Sequence, residues 1–264
     1  MSDERQPVVF VGAGPGDPDL ITVAGRKALE TADLVVYAGS LVSREMLSWC
    51  RPECETVDSA GLDLAGIIAH LARGWEAGWR VVRLHTGDPS LYGAIAEQIA
   101  ELERGGIAWR VIPGVTAAFA AAAHLGLEYT LPELTQTLIL TRAAGRTPVP
   151  EAESLAALAA HGSSLAIYLS AAQAEAVSGA LQAAFGPEAP VALAYRVSWP
   201  DQRFVWTSAR ALPQALKDHG LNRQVLILAG PAVMARARGQ QAPASKLYDA
   251  GFSHGFRAGK AETE

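Results

Sequence analysis

Short apolar runs, each followed by a stretch with helical spacing of its hydrophobic positions, organise the first part of the chain. Val8–Val11 is β-branched and aromatic and stops at Gly12-Ala13-Gly14-Pro15-Gly16. Asp19 is placed to cap a helix running to about Thr31, and Leu34–Tyr37 reads as a second strand. Further strands are predicted at Glu55–Asp58, Val81–His85 and Trp109–Ile112, with helices over Leu64–Glu76 and Gly93–Glu103 between them. Strand and helix in alternation imply βαβ units and a mostly parallel sheet.

The pattern changes after the alanine-rich stretch Thr116–His124 and Pro132. Strands are predicted at Thr137–Leu140, Leu165–Leu169, Val191–Val197, Arg203–Thr207 and Val225–Ala229. Ser198-Trp199-Pro200-Asp201 reads as a turn joining two antiparallel strands. The expected fold is therefore α/β in two domains. Residues 1–115 carry a mostly parallel sheet, residues 116–234 a mixed one, and 235–264 form a mobile tail rich in Ala, Gly, Gln and Lys.

Composition narrows the classes of function. Half of the 264 residues are hydrophobic and 19% are charged, enough for sizeable cores. The formal charge of −5 argues against nucleic acid as the main partner, because neutralising phosphates needs a basic surface. Cys50 and Cys54 are the only cysteines and lack zinc-site spacing, so no metal is expected and a reducing compartment suits them. The polar start and the absence of any run near the roughly 20 apolar residues of a membrane span point to a cytoplasmic protein with no membrane partner.

Three predicted strands end in loops of glycine and proline: Gly12–Pro18, Thr86-Gly87-Asp88-Pro89 and Pro113-Gly114-Val115-Thr116. In an open parallel sheet such loops share one edge, where ligands usually bind. The dinucleotide fingerprint fails, since Asp17 occupies the place of its third glycine and Pro15 lacks an amide hydrogen. No P-loop is present either. Asp17, Asp19 and Asp88 would better tolerate a neutral or cationic ligand than a pyrophosphate.

The segments Val11–Thr22, Thr86–Gly93 and Pro113–Ala117 resemble, in order and spacing, the three motifs of the tetrapyrrole methylase family. The resemblance covers roughly residues 8–230. It implies a methyltransferase using S-adenosylmethionine, with the active-site cleft between two α/β domains, a tetrapyrrole substrate and a homodimeric assembly. Carried over by motif, it implicates Pro15, Gly87, Asp88, Leu91, Thr116, Ala117, Leu169 and Val197 in holding the methyl donor. Tyr37–Val42, Leu134–Thr137 and Leu140–Pro148 resemble a branch of the family that methylates a corrin precursor. Gly39 and Ala144 depart from residues common in that branch and leave the metal state of the substrate open.

A substrate of this class bears acetate and propionate groups, which the planar fork of arginine binds well. Arg142 and Arg146 are the first candidates, with Arg83 and Arg196 behind them. Tyr92, Tyr168 and Trp199 could lie against a macrocycle, and Asp17 and Asp88 could instead cap the helices that follow them. No catalytic base is identified; His85, beside the second motif, is a possible one and equally a structural histidine.

Overall fold

A computed structural model describes residues 5–241 and 245–258. The chain divides into two compact units, one of residues 1–120 with 196–202, the other of 121–195 with 203–264. The division lies a few residues beyond the expected end of the first domain at residue 115, within the stretch 115–132 where the sequence pattern changes. A continuous helix, α4 (Ala117–Leu125), runs through the division, with Ala118, Ala120, Ala121 and Ala122 all buried.

Unit 1 holds five parallel strands: β1 (Val8–Gly12), β2 (Leu34–Tyr37), β3 (Glu55–Asp58), β4 (Val81–His85) and β5 (Trp109–Ile112). Their order across the sheet is β3-β2-β4-β1-β5. Residues alternate between two apolar faces, as the period of two demands. Val9, Val11, Val35, Val82 and Leu84 pack with Leu29 of α1 (Val23–Thr31) and with Met46. Val8, Phe10, Leu34, Val36 and Val81 pack on the other side with Ile67, Leu71 and Trp75 of α2 (Leu64–Glu76) and Leu102 of α3 (Ile95–Arg104). Burial on both faces explains why β1 and β2 read as continuous apolar runs, whereas the edge strands β3 and β5 keep exposed positions.

The helix expected from Asp19 to Thr31 is two pieces. Asp17 caps a single 3-10 turn, Pro18–Leu20, by accepting from the Asp19 amide. The α-helix starts only at Val23, capped by Thr22, whose hydroxyl accepts from the Gly25 amide. Two caps in six residues explain why the boundary was misplaced: each aspartate or threonine satisfies amides that a continuous helix would have to bond internally.

Unit 2 is built on a second five-stranded sheet, of β6 (Leu138–Arg142), β7 (Ser164–Tyr168), β8 (Pro190–Tyr195), β9 (Arg203–Ser208) and β10 (Val225–Ala229). Its order is β6-β7-β10-β8-β9; β6 and β7 run parallel and the remaining pairs antiparallel, the mixed sheet expected. One face carries Leu165, Ile167, Val191, Leu193, Val225 and Ile227, packed with residues of α5 (Leu155–Ala159), α6 (Ala174–Phe185) and α7 (Leu212–Asp218). The opposite positions include the small residues Ala166, Ala192 and Ala194, all buried. Helix α8 (Pro231–Ala237) lies against β7, β8 and β10.

The tail begins later than expected. Ala235 is 3% exposed and belongs to α8. Beyond it, Lys246–Tyr248 form a 3-10 turn, and Arg257 donates to the carbonyls of Leu247, Asp249 and Phe252. Residues 242–244 and 259–264 of the expected tail lie outside the described residues. Among the described residues, no helix is long and apolar enough to cross a membrane.

Opposite the loop-bearing edge of the first sheet, Asp33 ties several segments together. Its carboxylate accepts from the Arg80 amide at 2.8 Å and Nε at 3.1 Å, and from Arg51 Nη2 at 2.5 Å. The Arg80 hydrogen bond, opposed by burial and aided by Arg51, lowers this carboxyl from 3.8 to about 2. Being more acidic when folded, Asp33 contributes stability that is full above about pH 4 and lost as the pH falls through about 2. The Asp33→Asn variant is expected to have a lower urea midpoint at neutral pH, with the gap narrowing between about pH 4 and pH 2.5. A gap that stays constant with pH would contradict the assigned ion pair.

Candidate functional site

The three glycine-proline loops follow β1, β4 and β5, which are neighbours in the sheet, so all three leave its carboxyl edge side by side. At their junction the backbones themselves come into contact. A Cβ added to Gly12 would lie 2.6 Å from both Gly114 Cα and Gly87 O, and one added to Gly114 would lie 2.1 Å from Gly87 O. Gly14 and Gly87 pair as an antiparallel bridge: the Gly87 amide donates to Gly14 O at 2.7 Å, and the Gly14 amide to Gly87 O at 3.2 Å. Both have left-handed backbones, φ 78° and 60°, which glycine adopts without steric cost.

Asp88 braces the second loop to the third. One carboxylate oxygen accepts from the Ser90 amide at 2.8 Å, the other from the Gly114 amide at 2.9 Å. It neither caps a helix nor stands apart as a ligand group; its role is to hold two loops in register.

These bonds decide what the edge can bind. In loops that cradle phosphate, successive backbone N–H groups point at the anion. Here the Ala13 amide donates to His85 O, those of Gly14 and Gly87 to each other's carbonyls, that of Gly114 to Asp88, and that of Asp17 to Ser198 Oγ. These five donors are already satisfied, and the loops themselves carry the carboxylates of Asp17 and Asp88. A neutral or cationic ligand held by shape fits this edge; a pyrophosphate does not.

Other predicted donor residues frame the same edge of unit 1. Pro15 is buried in the first loop, Leu91 is half-buried in the second, and Thr116 and Ala117 begin α4. Val197 is 4% exposed in the 196–202 segment, which belongs to unit 1. Beside Gly87 there is open space: a Cβ there would meet nothing nearer than Thr116 Cα at 3.9 Å. Tyr92 is 44% exposed at φ 56°. A tyrosine in the left-handed region costs about a kilocalorie per mole or more, the kind of strain that clusters at ligand sites.

The remaining candidates of the β4 strand are internal. Arg83 is 4% exposed on the face covered by α3, with Nε donating to Gln98 and Nη1 to Val36 O. Burial lowers its pKa to about 10, so it remains charged. Gln98 in turn donates to Ala94 O, so Arg83 steadies the start of α3 rather than reaching a substrate. His85 is also 4% exposed and stacks on Phe10 at 5.8 Å. Burial, then the Arg83 charge, pushes it down to about 3. Such an imidazole is neutral at physiological pH and too weak a base to capture a proton there, which favours the structural reading.

In unit 2, Leu169 follows β7 with φ 53° and 69% exposure, an apolar side chain held out at strained backbone. Ser170, buried beside it, accepts from the Ala143 amide and donates to Tyr168 O, fixing the ends of β6 and β7 together. Arg142 donates to the carbonyls of Thr147 at 3.1 Å and Pro148 at 2.8 Å. It thereby closes the 142–148 segment into a loop, with Arg146 exposed on it.

Sequence reasoning missed Ser198 and Trp199 as partners of the first loop; for Trp199 it offered contact with a macrocycle or a place in the core. Trp199 Nε1 donates to Pro15 O at 2.9 Å and lies against Gly16. No local signal reveals a contact between residues so far apart in sequence.

A sequence profile of the family described as Tetrapyrrole (Corrin/Porphyrin) Methylases matches residues 7–213. The chain is 46% identical to a Cobalt-precorrin-4 C(11)-methyltransferase of Priestia megaterium, across 95% of this chain and 97% of that protein. It is 44% identical to a Precorrin-4 C(11)-methyltransferase of Pseudomonas aeruginosa, across 96% and 99%. A solved structure of a cobalamin biosynthetic enzyme, cobalt precorrin-4 methyltransferase, superposes with a TM-score of 0.83 at 45% identity, covering 86% of this chain and 95% of that one. With the three motif loops assembled on one sheet edge, these likenesses place the chain in the tetrapyrrole methylase family.

Proposed function

We propose that this protein transfers the methyl group of S-adenosylmethionine to C11 of precorrin-4, metal-free or cobalt-bound, in cobalamin formation. The observation that carries the reading is likeness over nearly the whole chain to two relatives that both bear the C11 activity in their names. Their nearly equal identities, 46% and 44%, leave both metal states of the substrate to be tested side by side. A homodimeric enzyme of the cytoplasm belongs to the same reading.

The donor carries its methyl on a positively charged sulfur and supplies the leaving group. The protein's task is then orientation, since holding two reactants in line can contribute several kilocalories per mole to lowering the barrier. The hydrogen bonds among the three loops give a rigid surface on which the amides of Ala13, Gly14, Gly87 and Gly114 are already used. Gly87 leaves room for the donor, Leu91 offers apolar contact, and Asp88 keeps the second and third loops fixed. Asp17, on the first loop, adds a carboxylate favourable to a cation.

On the substrate side, Arg146 is the better carboxylate ligand, because Arg142 already donates to its own loop. Arg142 fixes the loop and Arg146 presents its charge. Tyr92, exposed on the second loop, suits contact with a flat macrocycle.

Mass spectrometry after incubation with S-adenosylmethionine and precorrin-4, in metal-free and cobalt forms, is expected to show a gain of about one methyl in at least one of them. NMR should place it at C11. No gain in either form, with donor binding intact, would overturn the C11 reading. Arg146→Ala is expected to raise KM for the tetrapyrrole roughly tenfold, about 1.4 kcal/mol, with little change in KM for the donor. Unchanged KM for the tetrapyrrole would remove Arg146 from the substrate site.

A further inference from the structure

The connection between β8 and β9 is longer than their pairing needs. Register runs unbroken to Tyr195 opposite Arg203, yet seven residues, 196–202, join them where two would close a hairpin. Arg196 and Ser198 both sit in the left-handed region, φ 44° and 65°, which side chains other than glycine's rarely adopt. Such strain persists only where surrounding contacts hold it.

Contacts to the first glycine-proline loop, and others within the connection itself, supply that support. Trp199 Nε1 donates to Pro15 O at 2.9 Å, and Ser198 Oγ accepts from the Asp17 amide at 2.9 Å. Between these two bonds lies Gly16, where an added Cβ would fall 2.3 Å from Trp199 Cδ1 and 2.5 Å from its Nε1. The indole is itself fixed: the Arg196 guanidinium lies over the ring at 4.1 Å and pairs with Asp201 at 2.7 Å. The Ser198 amide donates to the Gln202 side chain at 2.9 Å.

We infer that Trp199 and Ser198 are positioning residues that clasp the Pro15–Asp17 backbone and so set the shape of the donor site. Gly16 is then a glycine because the indole occupies the place of its side chain, not because a ligand does. The inference rests on the reading that this loop holds S-adenosylmethionine.

The test combines Trp199→Phe, Trp199→Ala, Gly16→Ala and the Gly16→Ala/Trp199→Ala double variant, each titrated calorimetrically with S-adenosylhomocysteine. Trp199→Phe keeps a ring but loses the bond to Pro15, so affinity is expected to fall about three- to tenfold. KM for the donor should rise by a similar factor while KM for the tetrapyrrole does not. Gly16→Ala should lower affinity strongly in the parent protein and cost nothing further once Trp199 is alanine. Parent-like binding by Trp199→Phe, or an equal Gly16→Ala penalty in both backgrounds, would overturn the clasp. If the parent itself fails to bind S-adenosylhomocysteine, the donor reading falls, and the clasp is read from melting midpoints. It stands if Gly16→Ala destabilises the parent but not Trp199→Ala, and falls if the two losses are equal.

Discussion

Adjacent strands of a sheet lie about 4.8 Å apart, and loops leaving three neighbouring strands at one edge must share that spacing. In unit 1 they do so by dispensing with side chains: Gly12, Gly87 and Gly114 bring three backbones into direct contact. A single methyl group at Gly12 or Gly114 would force them apart. This close approach makes the Gly14–Gly87 bridge possible, places Asp88 between the second and third loops, and uses the amides of Gly14, Gly87 and Gly114 within the junction itself. The chemistry of the edge follows from its packing.

The same constraint explains the demands on more distant parts of the chain. A loop made of glycine and proline has few side chains with which to hold itself, so its shape must be imposed from outside. Ser198 and Trp199 do this for the first loop, and the buried chain from Arg83 through Gln98 to Ala94 does it behind the second. In unit 2, Arg142 holds its own loop through backbone carbonyls in the same manner. Charged and aromatic residues that looked like ligand contacts thus act largely as supports for backbone.

Much of the fold was legible because period and burial agree. Strands such as Leu34–Tyr37 and Val225–Ala229, and the helix Leu64–Glu76, lie where the apolar spacing puts them. The start of α1 was not legible, because Asp17, Asp19 and Thr22 all carry capping side chains and only the fold decides which are used. The precise point of division was not legible, because an alanine-rich helix has no turn signal there. For the site, glycine and proline at strand ends marked the right loops, but the sequence could not tell a side chain facing a ligand from one facing the interior. Arg83 and His85 sit on the strand before the second motif, and only the fold reveals that both are buried.

The most direct measurement is backbone hydrogen exchange, followed by mass spectrometry of peptides, with and without S-adenosylhomocysteine. Exchange should slow in peptides covering residues 12–18, 86–93 and 113–117 together, with little change along α2 on the far side of the sheet. Slowing confined to other segments, with these three loops unaffected at saturating ligand, would contradict a donor site built on the glycine junction.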